Sequence, residues 1–162
     1  MADCFYEKGL NFSCKRCSGC CGGSPGFVYL SKEDMIALRD FFGISTKTFV
    51  EQYCRWADYY GGTTVLALKE EKDFYCTLWR DGCTAYEARP VQCRTYPFWS
   101  WMTESRESWD DCAKDCPGMN SGTLWNKEHI DSERRRYDEN KPIYREEVEL
   151  MIQQEKKKDP SD

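Results

Sequence analysis

The stretch that decides the fold is Cys14-Lys15-Arg16-Cys17-Ser18-Gly19-Cys20-Cys21-Gly22-Gly23, in which four thiols are followed directly by two glycines. Thiolates are soft metal ligands, and short spacings allow one backbone turn to direct two sulfurs at one ion. A hydrophobic core does not require such a run. We therefore interpret the rest of the chain as a framework that brings a second set of cysteines to this one.

The spacing within this stretch limits how its thiols can be used. Cys14 with Cys17, and Cys17 with Cys20, have the C-x-x-C spacing, in which both sulfurs of a pair can reach one ion. Cys20 and Cys21 are adjacent, and adjacent side chains usually point apart. The four thiols are therefore expected either to divide between two metals or to hold a polynuclear centre with more widely spread corners.

The cysteine content of the whole chain favours metal over disulfides. The chain of 162 residues has 11 cysteines, an odd number, and its first residues show neither the basic nor the apolar region of a signal peptide. No apolar run approaches the roughly 20 residues of a membrane span. A cytoplasmic location, where thiols stay reduced, is therefore expected, with no membrane partner. The net charge of −5 argues against nucleic-acid binding. The cysteine content instead makes metal ions the expected partners.

Three further cysteines are candidates for the second set. Cys76 and Cys83 flank the turn signal Asp81-Gly82, so they could meet at one ion. Pro90 can open a short helix, and that helix would carry Cys93. These thiols are distant in sequence from the first cluster, so only the tertiary fold could bring the two sets together.

Other side chains near these thiols could support or replace them. Arg89 and Arg94 flank Cys93, and a guanidinium group can hydrogen-bond a thiolate sulfur and offset its charge. Cys112 and Cys116 are four residues apart, a spacing compatible with one face of a helix. The single histidine lies in a polar stretch expected to form an exposed helix, so the predicted sites are all-thiolate.

The remaining pattern predicts a small α+β domain. Ser31 is a candidate N-cap for a helix that ends at Gly43, and a second helix is predicted to begin at Ser45 or Thr46. Residues 63–68 and 74–79 are both β-prone and are predicted to pair as a β-hairpin. The other predicted elements are a strand at 26–30, a strand followed by a loop at 99–111, and helices at 132–136 and 144–152.

The ordered combination of these motifs resembles the YkgJ-type cysteine-cluster family, a zinc- or iron-chelating CxxCxxCC domain. The matching segments are Phe12-Ser13-Cys14-Lys15-Arg16-Cys17-Ser18-Gly19-Cys20-Cys21, Val28-Tyr29-Leu30-Ser31, Arg89-Pro90-Val91-Gln92-Cys93-Arg94-Thr95-Tyr96-Pro97-Phe98 and Cys116-Pro117-Gly118-Met119. The resemblance implies eight metal ligands, namely Cys14, Cys17, Cys20, Cys21, Cys76, Cys83, Cys93 and Cys116. Three cysteines fall outside the pattern: Cys4, Cys54 and Cys112, of which the last could replace Cys116.

The resemblance implies a metal-nucleated domain over residues 1–122, with residues 123–162 as a helical C-terminal extension of that domain. Two Cys4 zinc sites would use all eight thiolates and would stabilise a chain with a modest hydrophobic core. An iron–sulfur centre, serving electron transfer or an enzyme, would instead explain the adjacent Cys20 and Cys21 and the nearby arginines. A similar module occurs in flagellin lysine N-methylase, which raises a link to protein methylation. A thiol–disulfide oxidoreductase is disfavoured because the C-x-x-C motif lacks the βαβ surroundings of thioredoxin-like proteins. The sequence also identifies no catalytic residue.

Overall fold

A computed structural model describes residues 3–17 and 27–159, which form short helices and two small antiparallel sheets. This architecture confirms the predicted α+β class, including its C-terminal helix. The chain divides into unit 1, residues 1–21 and 95–140, and unit 2, residues 22–94 and 141–162. The regular elements are β1 (Leu10–Phe12), α1 (Lys32–Phe42), α2 (Thr46–Tyr53), β2 (Cys54–Tyr59), β3 (Thr63–Leu68), α3 (Val91–Thr95), α4 (Arg106–Ala113), β4 (Met119–Trp125), α5 (Lys127–Glu139) and α6 (Arg145–Lys158).

Unit 1 is built around a two-stranded sheet and an aromatic core. Strand β1 pairs antiparallel with β4, so that Leu10 lies opposite Trp125. Behind the sheet, the rings of Phe98 and Trp109 stack with their centroids 5.9 Å apart. Trp109 lies on α4, is fully buried, and donates from Nε1 to Asn120 Oδ1 at 2.8 Å. Because aromatic rings bury a large area per residue, few of them are needed to form this small core.

Tyr6 anchors the N-terminal segment of unit 1 to α5. Its ring is buried, and its hydroxyl donates to Asp131 Oδ1 at 2.8 Å while accepting from Arg134 Nη1 at 2.6 Å. Burial and the hydrogen bond to Asp131 raise the pKa of Tyr6 to about 12, so the hydroxyl remains protonated at neutral pH. The segment that leads into the cysteine cluster is thereby fixed to the core of its own unit.

The first helices of unit 2 begin and end where local signals predict. Ser31 Oγ accepts from the Asp34 N–H at 3.1 Å, and Asp34 Oδ2 accepts from the Ser31 N–H at 3.2 Å. This reciprocal capping box opens α1, and Gly43, with φ of 65°, closes it in the left-handed conformation. Helix α2 follows Ser45, whose hydroxyl accepts a backbone N–H three residues on, at 3.1 Å.

The sheet of unit 2 is a hairpin, but its strands are not the predicted pair. Strand β3 pairs with the preceding β2 through a turn that contains Gly61-Gly62. Both glycines have positive φ, 71° and 74°, which glycine adopts at little steric cost. The predicted partner, residues 74–79, joins no regular strand. Asp73 and Phe74 have φ of 59° and 62°, and this left-handed backbone interrupts the extended conformation that a second strand would need.

Strand β3 is hydrogen-bonded along its other edge as well. The Leu66 N–H donates to the Ile143 carbonyl at 3.1 Å, and the Leu66 carbonyl accepts from the Leu30 N–H at 3.1 Å. The described part of the predicted strand at 26–30 is thus an extended segment bonded to β3 and not a regular strand. The apolar strand β3 therefore has partners on both edges.

The region 99–111 also differs from the prediction of a strand and a loop. It consists of turns followed by α4, whose N-cap Ser105 accepts from the Ser108 N–H at 3.1 Å. Helical backbone lets Trp109 point into the core of unit 1 while its charged neighbours face solvent. The predicted helical character of the C-terminal region is confirmed by α5 and α6. No helix in the described parts of the chain is long and apolar enough to cross a membrane.

Candidate metal centre

The turn at Cys14–Cys17 in unit 1 has the local geometry expected of a C-x-x-C metal site. Arg16 has φ of 52°, a left-handed conformation that turns the chain between the two cysteines. The Arg16 N–H donates to Cys14 Sγ at 3.4 Å. An amide that donates to sulfur stabilises the negatively charged thiolate, which is the form that binds metal. Both thiols are exposed, so an ion can reach them.

The sheet of unit 1 brings Cys14 towards Cys116. Directly before Cys14, the Ser13 N–H donates to the Gly118 carbonyl at 3.2 Å. Gly118 has no room for a side chain, because a Cβ there would lie 2.3 Å from the Ser13 carbonyl oxygen. The close approach of these two backbones joins the residue before Cys14 to the segment that follows Cys116, although the two segments are distant in sequence.

Cys116 lies after α4 and not on it. The helix ends at Ala113, and the Cys116 N–H donates to the Ala113 carbonyl at 3.3 Å in the turn that follows. Cys116 is buried, whereas Cys112 is half-buried on the last turn of the helix. Burial, followed by the charges of Asp111 and Asp115, raises the pKa of Cys112. These surroundings oppose a thiolate at Cys112.

In unit 2, Cys76 and Cys83 lie at the two ends of a tight loop. Trp79 forms an isolated antiparallel bridge with Cys83, and its N–H donates to the Cys76 carbonyl at 2.9 Å. The backbone N–H of Leu78, two residues after Cys76, lowers the pKa of the Cys76 thiol, as expected of a donor that favours the thiolate. Negative charge on Cys83 further raises the pKa of Cys76.

This loop borders the hydrophobic core of unit 2. Both Cys76 and Cys83 are half-buried and pack against that core. Burial is the main cause that raises the pKa of Cys76 to about 11. Charge on Cys83 raises this pKa further, and the backbone N–H of Leu78 lowers it. Cys54 is part of the same core, and burial raises the pKa of its thiol as well. Thiolates of Cys76 and Cys83 would need a neighbouring cation, because negative charge is costly beside an apolar core.

Two side chains that the sequence analysis missed position α3, the helix that carries Cys93. The buried carboxylate of Asp34 accepts from the Val91 N–H at 3.0 Å, in the first turn of α3. The side chain of Gln92 donates from Nε2 to the Phe27 carbonyl at 2.7 Å, and its Oε1 accepts from the Tyr29 N–H at 3.1 Å. Cys93 is therefore attached to the segment that leads into α1.

The two arginines predicted to support the thiols have well-defined contacts with the loop before Cys93. Arg94 donates from Nε to the Arg89 carbonyl at 2.7 Å and from Nη2 to the Glu87 carbonyl. Arg89 donates from Nε to the Tyr86 carbonyl at 2.9 Å, and its guanidinium carbon lies 3.7 Å from the centre of the Tyr86 ring. These contacts stiffen the loop, and a hydrogen bond from either guanidinium group to sulfur stays a prediction.

The described cysteines are free thiols, but they do not by themselves complete a metal site. All nine cysteines within residues 3–17 and 27–159 are free. Within the same residues, no group of three or more His, Cys, Asp or Glu side chains is arranged to hold an ion. Cys20 and Cys21 lie outside the described residues. The six described members of the predicted ligand set are Cys14, Cys17 and Cys116 in unit 1, and Cys76, Cys83 and Cys93 in unit 2.

The chemistry of these donors fits a soft metal ion. Free thiols occur in each of two small α+β units, and a backbone N–H favours the thiolate at Cys14 and at Cys76, features that together define a cysteine-rich metal-binding protein. The chain belongs to the CxxCxxCC family, whose model matches residues 13–117, more than half of the chain. That family is described as "Putative zinc- or iron-chelating domain", which confirms the resemblance seen in the sequence. No solved structure matches the chain.

Proposed function

We propose that this protein chelates zinc or iron through eight thiolates, those of Cys14, Cys17, Cys20, Cys21, Cys76, Cys83, Cys93 and Cys116. The observation that carries the proposal is backbone support for a thiolate in both units. The Arg16 N–H donates to Cys14 Sγ at 3.4 Å, and the backbone N–H of Leu78, again two residues further on, lowers the pKa of the Cys76 thiol against the effect of its burial. Such donors stabilise negative charge on sulfur and are typical partners of metal-bound thiolates. A cysteine that only fills a core does not need them.

The surroundings of the thiols support this choice of ligands. Cys76 and Cys83 both pack at the margin of a core, and charge on Cys83 raises the pKa of Cys76, so two thiolates there would repel each other unless a cation offset their charge. In unit 1, the acidic neighbours of Cys112 favour Cys116 as the ligand from that segment. Because free thiols persist in a reducing compartment, we also propose that the protein works in the cytoplasm.

Two kinds of centre are compatible with eight thiolates, and they predict different compositions. Closed Cys4 sites would hold about two zinc ions per chain without sulfide. An iron–sulfur centre would contain iron and acid-labile sulfide, and it would point to electron transfer or to an enzyme, including one linked to protein methylation. Under either alternative, Arg89 and Arg94 are proposed to stabilise thiolate charge near Cys93.

Elemental analysis of protein purified without oxygen tests the proposal directly. A colourless protein with about two zinc ions per chain supports closed zinc sites, whereas a brown protein with iron and sulfide supports a cluster. Purification in air is not sufficient, because zinc can occupy thiolate sites that hold another metal in the cell. A full-length protein with neither metal would overturn the proposal.

Substitutions test the ligand assignment. Cys17→Ser and Cys93→Ser should each lower the metal content and the yield of soluble protein, because metal binding contributes to folding. Cys4→Ser is the matched control, since Cys4 lies outside the family pattern and its thiol is only half-buried. Unchanged metal content in both ligand variants would refute the assignment of these thiols.

A further inference from the structure

The loop between Cys76 and Cys83 contains a buried hydrogen-bond donor that nothing in the loop accounts for. The Nε1 of Trp79 is buried and has no hydrogen-bond partner among the described residues. A buried N–H group without a partner costs free energy, and such groups are rare in folded proteins. By contrast, the buried Nε1 of Trp109 donates to Asn120 at 2.8 Å. The unpartnered indole of Trp79 therefore needs a specific explanation.

Trp79 is held by its backbone opposite Cys83 and by its ring against Tyr75. Trp79 and Cys83 are opposite each other in an antiparallel bridge, and such partners direct their side chains to the same face, with Cβ atoms about 5 Å apart. The ring stacks on Tyr75 with centroids 4.2 Å apart and an interplanar angle of 22°. The Trp79 N–H donates to the Cys76 carbonyl at 2.9 Å, which fixes the backbone between the two thiols.

We propose that the indole N–H of Trp79 donates a hydrogen bond to the metal-bound sulfur of Cys83, and that it thereby positions this ligand and strengthens metal binding. The proposal rests on the proposed function, because it takes Cys83 to be a ligand. A thiol sulfur is a weak hydrogen-bond acceptor, whereas a negatively charged thiolate on a metal is a stronger one. Trp79 is thus a positioning residue that acts through Cys83.

A purely structural role for Trp79 makes different predictions. If the ring served only to pack on Tyr75, a phenylalanine in its place would keep the stacked contact and leave metal affinity unchanged. If the N–H matters, Trp79→Phe should weaken zinc binding, because loss of a hydrogen bond that orients a ligand lowers metal affinity about 10–100-fold. The packing contact and the donor can therefore be separated by one substitution.

The affinity test uses the full chain and Zn²⁺ alone, in competition with a chromophoric chelator. Trp79→Phe is compared with Trp101→Phe, which removes an indole N–H from a side chain 54% exposed, in unit 1. We expect the first variant to bind zinc about 10–100-fold more weakly than the unsubstituted protein and the second to bind it equally well. An unchanged affinity in Trp79→Phe, or an equal loss in both variants, overturns the proposal.

A second measurement needs no variant, and it decides the question even if Trp79→Phe does not fold. The chain has six tryptophans, and the indole N–H resonance of Trp79 can be assigned by NMR through its contacts with the Tyr75 ring. Zinc addition should move this resonance downfield, as a new hydrogen bond to charged sulfur requires. A resonance that zinc does not move overturns the proposal.

The same affinity assay separates this inference from the proposed function. Cys83→Ser should weaken zinc binding if Cys83 is a ligand. If Cys83→Ser binds zinc as tightly as the unsubstituted protein, the proposed function is wrong at this residue. If Cys83→Ser binds zinc more weakly but Trp79→Phe binds it as tightly as the unsubstituted protein, only the proposed role of Trp79 is wrong.

Discussion

Gly118→Ala is expected to destabilise unit 1 by about 2–4 kcal/mol. The added Cβ would lie 2.3 Å from the Ser13 carbonyl oxygen and 3.2 Å from Phe12 Cε2. A carbon–oxygen contact needs about 3.3 Å, so the two backbones must separate by about 1 Å. That movement breaks the 3.2 Å bond from the Ser13 N–H, worth about 0.5–1.5 kcal/mol, and the strain of overpacking adds about 1–3 kcal/mol.

Thermal unfolding followed by circular dichroism measures this effect. For a chain of this length, the expected loss corresponds to a fall in Tm of about 5–15 °C. Metal affinity should fall as well, because Ser13 directly precedes Cys14. Gly61→Ala is the control, since its φ of 71° makes alanine strained but no atom lies within 4 Å of the added Cβ. It should lower Tm by less and leave metal affinity unchanged. A Tm for Gly118→Ala within about 2 °C of the unsubstituted protein, with unchanged metal affinity, would refute the reasoning.

Three further predictions concern pH, a buried hydroxyl and the metal itself. Burial raises the pKa of Asp34 above its ordinary 3.8, so the folded state holds this proton more tightly and stability should fall as pH rises from about 3.8 through the raised value. Asp34→Asn removes this titrating group, so the free energy of unfolding, measured with urea, should depend less on pH over this range. If both proteins show the same pH dependence, the assignment to Asp34 is wrong. Tyr6→Phe should cost about 1–3 kcal/mol because it removes the 2.8 Å hydrogen bond to Asp131, whereas Tyr60→Phe, at a side chain 84% exposed, should change stability by less than about 0.5 kcal/mol. Equal losses in the two tyrosine variants would argue against the buried hydrogen bond. Chelation should lower Tm, and zinc loading near neutral pH should release protons, because the pKa of Cys76 is about 11 and its thiol must lose a proton to bind. Zinc uptake without proton release would exclude thiol ligands.

The helices were predictable where a few neighbouring residues decide the outcome. Ser31 and Gly43 bound α1 because a capping side chain and a left-handed glycine satisfy the helix ends locally. The predicted hairpin partner was wrong because Gly61-Gly62 is a strong hairpin signal that places the turn before β3 and not at the polar residues after it. The prediction of a strand and a loop at 99–111 was wrong because Ser105 is an N-cap that starts α4, although tryptophan itself favours strands.

The candidate site shows a similar limit. Short spacing predicted that Cys14 and Cys17 share a turn and that Cys76 and Cys83 share a loop, since both depend on local backbone. The approach of Ser13 to Gly118 depends on strand pairing across most of the chain, which spacing does not encode. Asp34 lies in the first turn of α1, where an acidic residue has a local reason to be, but its second role, capping α3, depends on tertiary packing. Trp79 carries no sequence signal at all, because its importance comes from a nitrogen without a partner.

The covered edges of β3 have a consequence for how the protein is made. Leu66 is bonded to Leu30, which the ribosome has already produced, and to Ile143, which it produces much later. Until that late segment emerges, the nascent chain exposes to other unfinished chains the part of this edge that Ile143 later covers, although the segment at Leu30 already covers the rest. Synthesis halted before residue 143 should therefore yield aggregates even when metal is plentiful.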